Sequence, residues 1–124
     1  DFSNIKMSSV EIKSAGGDCL DLSYGKYTIY NISAENCGDK GISIGEKSNV
    51  LLKSIKIKES NVAVAVKDSS SVRVDESQIF ESAICFSAYR KKQEFSGAKI
   101  KILKTNCKKE QFLSQKGSKI ILGL

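Results

Sequence analysis

No proline, no histidine and no tryptophan occur among the 124 residues. Average usage would put about six prolines in a chain of this length. Their absence suits backbone in which every N–H is spent on a partner, as in the central strands of a sheet. Without histidine there is no Ser-His-Asp or Cys-His nucleophile, no histidine-built zinc site and no haem held by His. No apolar run approaches the ~20 residues of a membrane-spanning helix, so no membrane span is expected. Aromatic residues are 7% of the chain and form no stacking row beside the charge, so a nucleic-acid partner is not expected either. No compact triple of acidic residues makes a calcium cage; neither a metal nor a cofactor is expected. What remains is 40% hydrophobic residues and a net charge of +6, from 20 Lys and Arg against 14 Asp and Glu. That is the composition of one folded domain over residues 1–124. The first residue is Asp1 rather than Met, which points to a segment excised from a longer protein.

A repeat sets the architecture. Ile5 and Met7 are matched by Tyr27 and Ile29, then Val50 and Leu52, Val72 and Val74, Ile100 and Ile102, and Ile120 and Leu122. The steps between these pairs are 22, 23, 22, 28 and 20 residues. A second series runs from Val10 and Ile12 through Ile32 and Ala34, and Ile55 and Ile57, to Ser77 and Ile79. A third runs from Leu20 and Leu22 through Ile42 and Ile44, and Val64 and Val66, to Phe86 and Ala88. Each unit therefore holds three short stretches of alternating polarity, the pattern of strands with one buried face. Polar turn residues separate them, among them Gly16 and Gly17, Gly38 and Asp39, and Ser69 to Ser71. Three strands in ~22 residues describe one turn of a triangular coil, and five to six such coils stack into parallel sheets around a dry core.

The expected fold is all-β. The whole chain resembles a right-handed, single-stranded parallel β-helix of the pectin-lyase-like type. Four strings are similar to β-helix segments of bacterial proteins that also carry a spore-coat-H-like kinase domain. They are Gly-Asp-Cys-Leu-Asp-Leu at 17–22, Cys-Gly-Asp-Lys-Gly-Ile-Ser-Ile-Gly-Glu at 37–46, Val-Lys-Asp-Ser-Ser at 66–70 and Ala-Tyr-Arg-Lys-Lys at 88–92. That resemblance implies an accessory module of a cell-surface, secreted or polysaccharide-associated protein.

Strict alternation assigns the outward face of each strand. On the third strand the outward positions are Cys19 and Asp21, Gly41 and Ser43, Ala63 and Ala65, and Cys85 and Ser87. All but Asp21 are small, whereas the second strand shows Glu11, Lys13, Lys56 and Lys58. The expectation is a flat shelf that meets a homodimer partner or another domain through Gly41, Ser43, Ala63, Ala65 and Ser87. Beside it stand Lys67, Asp68, Tyr89, Arg90, Lys91 and Lys92, the last three opening an insertion of about six residues that should protrude as a basic loop. These residues are candidates for gripping an acidic polysaccharide.

Candidates for catalysis are few. Asp21 is the only carboxylate on the shelf, and Asp18, Asp39 and Lys40 approach it from the preceding turn. A glycosidase needs two carboxylates across a cleft, while a lyase or epimerase would use Lys40 or Lys67 as base. The string Val-Ala-Val-Lys at 64–67 resembles a kinase lysine strand, but no glycine-rich loop precedes it. The expected function is accordingly a non-catalytic binding or structural module, with a fragment of a polysaccharide lyase, epimerase or hydrolase as the alternative. Flat alternation also separates the four cysteines into columns too far apart to bridge, predicting free thiols.

Overall fold

The computed structural model describes residues 4–123. Its strands are β1 (Asn4–Ile12), β2 (Leu20–Leu22), β3 (Lys26–Glu35), β4 (Lys40–Ile44), β5 (Asn49–Lys67), β6 (Ser71–Tyr89), β7 (Lys99–Thr105), β8 (Phe112–Ser114) and β9 (Lys119–Leu122). One 3₁₀ turn, Lys109–Gln111, precedes β8. All the strand pairs are parallel, in the path β1-β3-β5-β6-β7-β9, with β2 on β4, β4 on β5 and β8 on β6. The register is that of the repeat. Ile5 pairs with Tyr27, Tyr27 with Val50, Val50 with Val72, Val72 with Ile100 and Ile100 with Ile120. The molecule is a parallel β-solenoid of about five coils.

Stacking like on like builds the interior. Ile29, Leu52, Val74 and Ile102 form one fully buried ladder, and Ile42, Val64 and Phe86 another. Phe112 extends the second, its ring perpendicular to that of Phe86 with centroids 5.5 Å apart. Serines that enter the core are satisfied locally: the Ser77 hydroxyl donates to the Lys104 carbonyl at 3.0 Å. Where β7 ends, Asn106 substitutes a side chain for the missing strand. Its amide group donates to the Ile79 carbonyl at 2.9 Å and its oxygen accepts the Ile79 N–H at 2.8 Å.

Two ladders of left-handed residues turn the corners. One is Asn36, Glu59 and Glu81; the other is Tyr24, Lys47 and Ser69, with Asp68 alongside. For residues other than glycine this conformation costs roughly 1–2 kcal/mol each, a cost that ladder hydrogen bonds above and below must offset. Thus Tyr24 N–H donates to the Glu46 carbonyl at 2.8 Å and Lys47 N–H to the Asp68 carbonyl at 2.9 Å.

The shelf is narrower than alternation implies, because the chain bends as it enters the third strand. Gly41 and Ile42 are both buried, as are Ala63 and Val64, and Cys85 and Phe86. A Cβ at Gly41 would stand 2.9 Å from Ile57 Cγ2, so this position looks into the core. Cys19, Gly41, Ala63 and Cys85 are therefore an interior column rather than an outward one. Across the same corner lies a second small column containing Cys37, Ser60 and Ser82, in which the two serine hydroxyls are 2.7 Å apart.

That geometry corrects the expectation of free thiols. Disulfides join Cys19 to Cys37 and Cys85 to Cys107, with Cα separations of 5.4 and 6.5 Å, and no described cysteine is free. The pairing register stands; the error lay in treating the corner as flat. Residues well apart along the chain face each other across it, so each bridge crosses the corner and rises one coil.

The insertion also behaves differently. Residues 90–97 lie back along the corner instead of protruding. The buried Asp68 accepts the N–H groups of Lys91 and Lys92 on one oxygen, at 2.7 and 3.0 Å. Lys92 pairs with Glu46 two coils away, Ser96 is hydrogen-bonded to Ser69, and Phe95 reaches Lys47 and Tyr24.

Candidate functional site

The outward half of the third strand is the floor of a cleft. In register upward it carries Asp21, Ser43, Ala65, Ser87 and Leu113. Asp21 is exposed, but Ala65 is only 1% exposed and Ser87 8%. Their burial comes from neighbouring columns: Lys40 and Val62 on one side, Tyr89 and Gln115 on the other, and Leu113 across the end. The cleft is open to solvent and has a volume of ≈ 520 Å³, within the ~300–1,000 Å³ typical of small-molecule sites. Short side chains on the floor are what make it concave. A residue as long as lysine at position 65 would intrude on it.

Lys40 is held by two carboxylates. Its Nζ lies 2.9 Å from Asp39 Oδ2 and 3.9 Å from Asp18 Oδ1, while its backbone N–H donates to Asp18 at 3.2 Å. The hydrogen bond to Asp39 raises the Lys40 ammonium above its ordinary value and lowers Asp39 below that of a free carboxyl. Burial raises the Tyr89 phenol, with the Lys40 charge opposing it. At neutral pH the cleft therefore presents a charged ammonium, a neutral phenol and an aromatic face.

The sequence-derived candidates thus divide. Asp18, Asp39 and Lys40 come together at one lip; Asp21 stays on the floor column, outside the cleft lining. Ala65, Ser87 and Tyr89 line the cleft, Ser43 is buried beneath Ala65, and Gly41 and Ala63 face the core. Lys67 stands under Tyr89 in register, its alkyl stem against Gly45. Arg90 and Lys91 leave the top of the same column, Arg90 N–H donating to the Gln115 side chain at 2.8 Å. Neither of these two has an acidic partner among the described residues, unlike Lys92. Asp68 is turned inward on the loop backbone.

Val62, Leu113 and Gln115 are cleft residues that the repeat did not reveal. Phe86 pairs with Phe112, a step of 26 residues instead of 22, because the insertion lies between them. The apolar Phe112-Leu113 pair just before Ser114 was the available signal. Among the described residues no group of three His, Cys, Asp or Glu side chains is arranged to hold a metal ion, and no helix is long and apolar enough to cross a membrane.

No curated protein and no solved structure matches the chain. The family model described as "Right handed beta helix region" matches residues 1–111. The match spans most of the coils that carry the cleft and agrees with the parallel stacking, so this chain belongs to the right-handed β-helix family.

Proposed function

We propose that the protein is a non-catalytic polysaccharide-binding module whose cleft takes an acidic glycan. The observation that carries this reading is the cleft itself: a floor of Ala65 and Ser87, a tyrosine wall and a fixed ammonium opposite it. Small floor residues let a sugar ring approach the sheet, Tyr89 supplies a face for it, and Asp39 and Lys40 offer hydrogen bonds to hydroxyls. Lys40 is already neutralised by its partners, so the acidic groups of the polymer fall to Arg90 and Lys91 at the top of the cleft. The enzyme-fragment reading is less well supported. A lyase or epimerase base works best with its pKa near the operating pH, and Lys40 is held above the ordinary lysine value. The two nearby carboxylates both engage that one cation.

Two disulfides fit an oxidising, extracytoplasmic setting, in keeping with an accessory role beside another domain of a surface protein. The test is equilibrium binding of a galacturonate hexamer to Tyr89→Ala, Lys40→Gln and Ala65→Lys. Each should weaken binding by about tenfold or more, the loss of one good contact. Wild-type affinity in all three would remove the cleft from consideration.

A further inference from the structure

A second cavity opens at the corner that follows the third strand. Tyr24, Gly25, Lys26, Lys47 and Asn49 line ≈ 300 Å³ there, the size of a site for a single ring. Its wall is mainly apolar, made by the Tyr24 ring and the lysine stems. Phe95, delivered by the folded-back loop, meets Tyr24 edge-on at 6.5 Å, and the Lys47 ammonium sits 5.8 Å from the Phe95 ring centre. Tyr24 is 52% exposed despite these neighbours. Both Tyr24 and Lys47 hold left-handed backbone, with φ of 50° and 48°, where asparagine or glycine would sit more easily. At these two points the side chains meet Phe95 of the insertion, and the half-exposed Tyr24 still keeps part of its ring open. Neither Lys26 nor Lys47 has an acidic partner among the described residues, and Glu46 beside them is engaged by Lys92.

We propose that this corner is a second ligand site, distinct from the cleft, which takes one sugar ring bearing a carboxylate. The ring lies on the exposed face of Tyr24, and the carboxylate is met by the ammonium groups of Lys26 and Lys47. Paired aromatic and cationic groups, with no competing free carboxylate among the described residues, suit an acidic sugar better than a neutral one. The site does not depend on occupancy of the cleft, which lies on other columns.

Titration of ¹⁵N-labelled protein with monomeric glucuronate, with glucose as the neutral control, tests this. Saturable amide shifts are expected at Tyr24, Gly25, Lys26, Lys47 and Asn49, and glucose should leave them in place. Tyr24→Asn and Lys47→Asn suit left-handed backbone and should fold, yet each should weaken glucuronate by about tenfold. Shifts confined to Lys40, Tyr89 and Gln115 would support the cleft and overturn the corner site. So would equal responses to glucose and glucuronate, or unchanged affinity in both variants.

Discussion

One added methyl at Gly41 would place a carbon 2.7 Å from the Ala63 carbonyl oxygen and 2.9 Å from Ile57 Cγ2. Both neighbours belong to the packed corner, so the backbone must shift. Gly41→Ala should lower stability by ~1–3 kcal/mol, as overpacked cores do, seen as a lower urea midpoint; an unchanged midpoint would mean that the corner yields freely. Asp68 makes a second test. Asp68→Ala removes the acceptor of two N–H groups and should cost ~1–3 kcal/mol, with faster hydrogen exchange at Lys91 and Lys92. Asp68→Asn retains an acceptor and a tolerance for φ near 51°, and should restore protection; equal exchange in the two variants would contradict the anchoring role. The Lys40–Asp39 pair sets the pH behaviour. Asp39 is lowered from 3.8, so its contribution is present above that value and lost as pH falls through the lowered one. Lys40 is raised from 10.5, so its contribution is present below that value and lost as pH rises through the raised one. Glycan affinity should therefore be flat between about pH 5 and pH 9. A step within that window would require another titrating group.

Strands β1, β3, β5 and β6 were legible because their apolar pairs recur at nearly constant spacing and each pair stacks on the last. Strand β8 was not, since its three residues follow an insertion that breaks the spacing. The corner was misread for a different reason. Alternation has period two only while the strand is straight, and at Gly41–Ile42 the bend turns two consecutive residues inward. Half of the expected shelf and both disulfides hang on that one bend. Cys19–Cys37 and Cys85–Cys107 close loops with separations of 18 and 22 residues, which the chain-entropy account values at about 3 kcal/mol each. Reduction, or the double change Cys85→Ser and Cys107→Ser, should lower the urea midpoint without altering the β-sheet circular dichroism below the transition. Peptide mapping under non-reducing conditions should recover the two stated pairs; other pairings would contradict the corner geometry.

On the scale of the molecule, the cleft and the corner cavity lie on neighbouring columns, with the folded-back insertion beside both. The sequence displayed Lys40, Ala65, Ser87, Tyr89 and the basic run, but not that the insertion lies down and commits Lys92 to Glu46. That contact follows from a loop path no periodicity encodes. Its consequence is unequal cations: the double change Arg90→Ser and Lys91→Ser should flatten the salt dependence of glycan binding by about two released counterions, and Lys92→Ser by less than one. Equal slopes for the two variants would mean that the ion pair opens on binding. The central claim, that this β-helix holds an acidic glycan, is met most directly by calorimetric titration of the wild-type protein. A galacturonate hexamer and a neutral galactose hexamer would be compared at low and at physiological salt. The expected result is saturable binding of the acidic hexamer that weakens as salt rises, with the neutral hexamer at least about tenfold weaker. No saturable heat from the acidic hexamer at low salt, or equal affinity for the two, would contradict it.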